Sequence, residues 1–194
     1  MAHEALTLKF LGHASVLATY QGKSLLFDPW FGTPIVEGVV GGFPAFHKLS
    51  KEEVESLIGV HISHVLFDHC CKEDLETIPK EIPIFIGSYR KRDFQGILET
   101  LGFKSVNVVP SDFRGVEIGP FRLAVFPKGP EDGSFDSSAV LSANGSSVYL
   151  SNDCIHPDTF YFLLRKKFGE FEGAFVGYAS VSPFIWNTDY SAGE

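Results

Sequence analysis

The chain is short of cysteine and of positive charge, and it has no long apolar run. Each shortage removes a class of protein. Its three cysteines, Cys70, Cys71 and Cys154, are an odd number at spacings that form no disulfide framework. The adjacent pair lacks a second pair, so the spacing does not make a zinc ribbon, and a reducing cytoplasm is the simplest home. The net charge is −8, and basic residues bunch only in "YRKRDF" and "LLRKKFG". That argues against nucleic acid and against anionic membranes as partners, since both need broad basic patches. The two clusters read as a solvated helix face and a helix C-terminus. No stretch of about 18 apolar residues is present to span a bilayer, and no basic segment followed by an apolar run opens the chain as a signal peptide would. There is no Gly-Lys-Ser/Thr loop for nucleotide phosphates and no Gly-x-Ser-x-Gly elbow for a serine nucleophile. No linker, fixed-period repeat or low-complexity tract divides the 194 residues. One domain, 1–194, with a sizeable core is the expectation.

What is present begins as strands. "LTLKF", "SVLATY" and "SLLFDPW" are short apolar runs, and "QGK" makes the tight connection between the second and third. A long Gly/Pro-rich loop follows, "FGTPIVEGVVGGFPAFHK", of a length that often carries function. Ser50 with Glu53 three residues on predicts a capping box and a helix. "VHIS" reads as a strand ending at His64, "CKEDLETIP" as a short helix stopped by Pro79, and "IPIFIG" as a strand. "YRKRDFQGILETLG" predicts an amphipathic helix ending at Gly102. The strands "SVNVV", "GVEI" and "FRLAVF" lead to "AVLSANGSSVYLS", a hairpin turning at Asn144-Gly145. A helix over "PDTFYFLLRKKFG" and a strand "GAFVGY" close the pattern. Hairpins alternating with α/β units predict mixed sheets flanked by helices rather than one parallel sheet. The 19 phenylalanines are read as sandwich core.

The chemistry concentrates in "HISHVLFDHC", residues 61–70. His64 ends an apolar strand, and residues 64–69 then curl back, so Asp68 and His69 can face the same space as His64. Imidazole nitrogens with a carboxylate oxygen suit zinc, iron or manganese. A turn held by hydrogen bonds is the competing reading. His61 is one step out of phase with His64 along the strand, so its side chain faces away.

"FLGHASVLATYQGKSLLFDPWF" followed by "ISHVLFDH", and later "SNDC", resembles the metallo-β-lactamase superfamily over residues 7 to about 180. Within it the chain looks like the branch that holds CMP-N-acetylneuraminate hydroxylase-like proteins, ascorbate-phosphate-lactonase-like hydrolases and a di-iron oxygenase relative. The resemblance implies an αββα sandwich (α/β, two mixed β-sheets flanked by helices). It also implies metal ligands at His64, Asp68, His69, Asp136 and Asp153, for one or two divalent ions of zinc, iron or manganese. A two-histidine, carboxylate-rich set leans toward iron or manganese. Leu66 stands where the motif has a further ligand, and no histidine occurs between His69 and His156. The family's last histidine is also missing, with Tyr178 and Ser180 near its place. The resemblance places His13 near the site without ligating. Asp28 is expected to fix the turn before Pro29, close to the site. His47, His156 and Tyr178 are candidates to contact substrate.

The leading functional expectation is a metal-dependent hydrolase of a small ester, lactone, amide or phosphoester. In it a metal-activated water attacks and Asp68 holds or accepts a proton. A di-iron oxygenase of the same fold is the alternative, and a degenerate binding or partner subunit the third. The family continues beyond the last residues here. The expectation is therefore either a piece of a longer protein or a small variant that completes itself as a homo-oligomer.

Overall fold

The computed structural model describes residues 5–36, 38, 40–41, 45–89, 93–128 and 136–177. Its elements run β1 (Thr7–Gly12), β2 (Ser15–Tyr20), β3 (Lys23–Phe27), α1 (Lys51–Ser56), β4 (Leu57–Ile62), α2 (Lys72–Leu75), β5 (Ile84–Ile86), α3 (Phe94–Thr100), β6 (Val106–Val108), β7 (Val116–Ile118), β8 (Phe121–Pro127), β9 (Ser137–Ala143), β10 (Ser146–Leu150), α4 (Asp158–Phe168) and β11 (Gly173–Phe175). Among the described residues no helix is long and apolar enough to cross a membrane.

Two sheets result, ordered β1-β2-β3-β4-β5-β6 and β11-β10-β9-β8-β7. Pairing is antiparallel through β1, β2 and β3, then parallel from β3 to β6. In the second sheet only β10 with β11 is parallel. The hairpin turns follow from their residues. Gln21-Gly22 and Asn144-Gly145 have φ of 51° and 65°, and 51° and 83°, the left-handed pairs that suit the twist of two-residue hairpins. Helix α1 starts on the predicted box: Ser50 Oγ accepts from Glu53 N–H at 3.2 Å, and Glu53 Oε2 accepts from Ser50 N–H at 2.8 Å.

Side-chain alternation along the strands sorts the core into layers. Val16, Ala18, Leu25 and Phe27 from the first sheet meet Phe121, Leu123, Val125, Ala139 and Leu141 from the second, between the sheets. Leu17, Leu26, Val60 and Ile62 turn the other way and pack with Leu75, Ile78, Phe94 and Leu98 around α2 and α3. On the far face, Ala124, Phe126, Val140 and Tyr149 pack with Leu164, Phe160 and Phe168 of α4. The order is thus helices, sheet, sheet, helix: the αββα sandwich of the metallo-β-lactamase type. Phenylalanines do fill it. Phe27 and Phe121 are almost fully buried, each contributing about 1.5–3 kcal/mol by leaving water.

Several elements are shorter than the sequence reading, and two of these differences have a plain cause. Strand β4 stops at Ile62 instead of His64, because Ser63 N–H goes to the Asp28 carboxylate at 2.6 Å rather than to a neighbouring strand. Helix α3 begins at Phe94, where the Asp93 side chain accepts from Gly96 N–H. Residues 90–92 of its expected start lie outside the described residues.

Candidate metal centre

Loops at the ends of β1, β3, β4 and β10 meet at one edge of the sandwich. After β4, the chain turns sharply: the Leu66 carbonyl accepts from His69 N–H at 3.0 Å and from Cys70 N–H at 2.7 Å. This turn carries His64 and His69 inward, both 1% exposed, and leaves Leu66 and Phe67 42% and 61% exposed. The position that the motif reserves for a ligand is therefore an apolar residue on the surface. The two imidazoles lie with ring centroids 4.1 Å apart.

Each ring is held from behind by a carboxylate. Asp28, fully buried, follows β3 with a left-handed φ of 43°. Its Oδ2 accepts from His69 Nδ1 at 3.0 Å and from Ser63 Oγ at 2.8 Å. Burial alone would lower the His69 pKa, but the charge and hydrogen bond of Asp28 outweigh it and raise it to about 9. Asp28 is held below the ordinary carboxylate value, burial again being outweighed by His69. Behind the other ring, Asp136 Oδ1 lies 3.1 Å from His64 Nδ1. A carboxylate on Nδ1 fixes the proton there and turns the Nε2 lone pair outward. His64 Nε2 and His69 Nε2 thus face one space, where Asp153 Oδ2 stands 3.8 Å from both.

Asp136 consequently departs from its expected place among the ligands. Its oxygens are spent on His64 Nδ1, on Ser137 N–H at 2.6 Å and on the Cys154 thiol at 3.2 Å. That puts it behind the imidazole, where it orients the ring. His64, His69 and Asp153 form one group whose donor atoms lie within 4.8 Å of one another, and His13, Asp68 and His69 form another. Asp68 Oδ2 is 3.1 Å from His13 Nε2 and 3.8 Å from His69 Nε2. Burial would raise its carboxyl pKa, but the His13 hydrogen bond and the His69 charge bring it to about 2.

The other residues singled out from the sequence sit elsewhere. His47 is exposed and is tied by its backbone N–H to Leu11 O at 2.8 Å. His156 stacks on Phe160 at 3.9 Å and bonds through Nε2 to Ser138 Oγ at 2.9 Å. Tyr178 lies outside the described residues. His61 faces Phe27 and bonds Phe85 O through Nδ1 at 3.0 Å, and burial outweighs that bond and the Asp28 charge to keep it below the ordinary histidine value. Three residues with roles here were not singled out from the sequence. Ser63 joins Asp28 to His64 Nδ1, at 2.9 Å from the latter. Tyr89 donates to Ser63 O and lies 2.7 Å from Ser137 Oγ, tying β4 to β9. Asn152, with φ of 49°, donates to Ser137 O at 2.7 Å and so fixes the turn that presents Asp153.

The donor set fits a divalent cation. His69 Nε2 is buried and has no hydrogen-bond partner, an orphan that costs about 1–3 kcal/mol unless something fills the space before it. Carboxylates face it from two sides, and the imidazoles have the backing hydrogen bonds typical of metal-bound histidines.

The chain resembles CMP-N-acetylneuraminic acid hydroxylase of Mus musculus, with 24% identity covering 96% of this chain and 33% of that protein. It thus spans about a third of that relative's length. Among solved structures it is similar to CmlA, a diiron β-hydroxylase from Streptomyces venezuelae, with a TM-score of 0.67 and 20% identity over 89% of this chain and 34% of that one. It is also similar to an isothiocyanate hydrolase from Delia radicum gut bacteria, with a TM-score of 0.62 and 14% identity over 82% and 67%. These two likenesses establish the fold. The model of the beta-lactamase superfamily domain matches residues 7–131, well over half of the chain, and the chain belongs to that family.

Proposed function

We propose that this chain is a metal-dependent hydrolase acting on a small ester, lactone, amide or phosphoester, with one divalent ion held by His64, His69, Asp153 and Asp68. The buried His69 Nε2, unpartnered and facing Asp153 and Asp68, carries this reading. A bound zinc, iron or manganese ion would supply a Lewis acid and lower the pKa of a coordinated water. The chain's own residues do the rest. Asp28 and Asp136 keep both imidazoles in the ligating tautomer. Asp68, ionised at neutral pH with its carboxyl at about 2, accepts a hydrogen bond from the attacking water and aims it. At that pKa it is a weak base and orients the proton more than it takes it. Leu66 and Phe67 are exposed on the turn between His64 and His69 and offer apolar surface to the organic part of a substrate. The buried free thiols of Cys70, Cys71 and Cys154 suit a reducing compartment such as the cytoplasm.

A hydroxylase reading is favoured by one observation: each donor group brings a carboxylate to His69, Asp68 in one and Asp153 in the other, a harder ligand set than zinc hydrolysis requires. A single experiment separates the two. Protein reconstituted with zinc, manganese or ferrous iron is assayed against 4-nitrophenyl acetate, a γ-lactone and bis(4-nitrophenyl) phosphate. Turnover with zinc or manganese that disappears in Asp153→Ala supports the hydrolase. Inert zinc and manganese forms, with an iron form that gives an absorption band sensitive to reductant, overturn it in favour of the hydroxylase.

A further inference from the structure

We infer that His13 is a direct ligand of this metal, supplied by the first hairpin in place of the histidines that the motif lacks. The inference rests on the metal-centre reading above and adds to it a residue outside the motif. His13 Nε2, Asp68 and His69 Nε2 form a donor group within 4.8 Å, and that group shares His69 Nε2 with the group of His64 and Asp153. The donors of the two groups do not all lie within 4.8 Å of one another, so one ion taken by both has to draw them together on His69 Nε2.

Local structure aims His13 at this point. It occupies the two-residue turn between β1 and β2 with φ of 49°, a left-handed conformation that histidine, like asparagine and aspartate, adopts more readily than most side chains. The turn is held by its neighbours. The Ser15 hydroxyl accepts from Trp30 N–H at 2.8 Å and donates to the Asp28 carbonyl, fastening the hairpin to the loop that carries Asp28. A Cβ at Gly12 would run into the Phe46 ring, so the backbone there is packed from above. The His13 ring stands edge-on to Trp30 at 5.3 Å and to His69 at 5.1 Å. Its Nε2 lies 3.1 Å from Asp68 Oδ2, close to the separation of two donors that each stand about 2.1 Å from one ion. The surface position of Leu66 leaves the centre one imidazole short, and His13 brings it to three with His64 and His69.

Affinity alone cannot distinguish a ligand from a residue that merely orients Asp68, because loss of either lowers metal binding by about 10–100-fold. The count of imidazoles on the metal can. X-ray absorption of the zinc-loaded protein should give three imidazoles, falling to two in His13→Ala and in His13→Asn, the latter a residue that tolerates the left-handed turn. Thermal melting confirms that both variants fold. Two imidazoles in the unsubstituted protein, or an unchanged count in both variants, overturns the inference. If His69→Ala abolishes binding while the His13 variants change nothing, the metal centre stands and the role of His13 falls. Three imidazoles without turnover leave His13 a ligand and remove the hydrolase. Absence of any zinc binding overturns both.

Discussion

Replacing Asp28 with asparagine is the sharpest perturbation of the site, because it keeps the volume and removes only the charge. The carboxylate is fully buried and accepts three hydrogen bonds, from Ser63 N–H at 2.6 Å, Ser63 Oγ at 2.8 Å and His69 Nδ1 at 3.0 Å. An amide facing Ser63 N–H with its oxygen must present NH₂ toward His69. The imidazole can then stay bonded only by accepting at Nδ1 and moving its proton to Nε2, the nitrogen meant for the metal. In the metal-free protein Asp28, with smaller help from Asp68 and Asp153, outweighs burial and raises His69 from its ordinary 6.5 to about 9, so these carboxylates together contribute about 3 kcal/mol, with Asp28 the largest share. The folded-state pKa is the raised one. The contribution is therefore complete below about pH 6.5 and is lost as the pH climbs through about 9. At about 2–4 °C per kcal/mol for a chain of this size, Asp28→Asn should lower the melting temperature of the metal-free protein by about 6–12 °C at pH 6, with the gap narrowing toward pH 9.5. Its zinc affinity, measured by calorimetry, should fall by about 10–100-fold. A gap independent of pH, or unchanged zinc affinity, would refute the reasoning.

Zinc binding near pH 7.5 should release about one proton from His69, seen as a dependence of calorimetric enthalpy on buffer ionisation. Apparent affinity should then rise by about tenfold per pH unit up to about pH 9 and level off, since the raised pKa sets the end of the competition. A slope of zero would show that His69 is already neutral. Leu66→His should leave the melting temperature within about 2 °C, the side chain being 42% exposed, and should raise zinc affinity by chelator competition if residue 66 still borders the centre. Unchanged affinity would place that side chain out of reach. Burial pushes the Cys70 and Cys71 thiols up to about 12, so the folded protein should not react with Ellman's reagent at pH 8 until denaturant is added.

The layers and most elements were legible in the sequence because their signals are local. Gln21-Gly22 and Asn144-Gly145 name their turns by the left-handed angles they accept, and Ser50 with Glu53 names the start of α1. Motif spacing and the family resemblance singled out His64, Asp68, His69 and Asp153, of which His64, His69 and Asp153 fall in one donor group while Asp68 joins His69 in another. What spacing cannot carry is which nitrogen of an imidazole a carboxylate addresses. Asp136 reads as one more acid of the set, yet the packing of β9 against β4 through Tyr89 and Ser137 delivers it to His64 Nδ1, behind the ring. His13 is the converse. Far from the motif in sequence, it is carried to Asp68 by the Ser15 and Trp30 contacts, which bind one hairpin to another loop. Ser63 gave no signal because its role, linking Asp28 to both imidazoles, exists only once β3 and β4 are paired.

Metal stoichiometry tests the central claim most directly. Purified protein dialysed against zinc or manganese and then against metal-free buffer should retain about one equivalent by inductively coupled plasma mass spectrometry, and the double variant His69→Ala/Asp153→Ala, folded by circular dichroism, should retain less than about 0.1. Equal retention by the two proteins, or none by either, would contradict a metal centre built on His64, His69, Asp153 and Asp68.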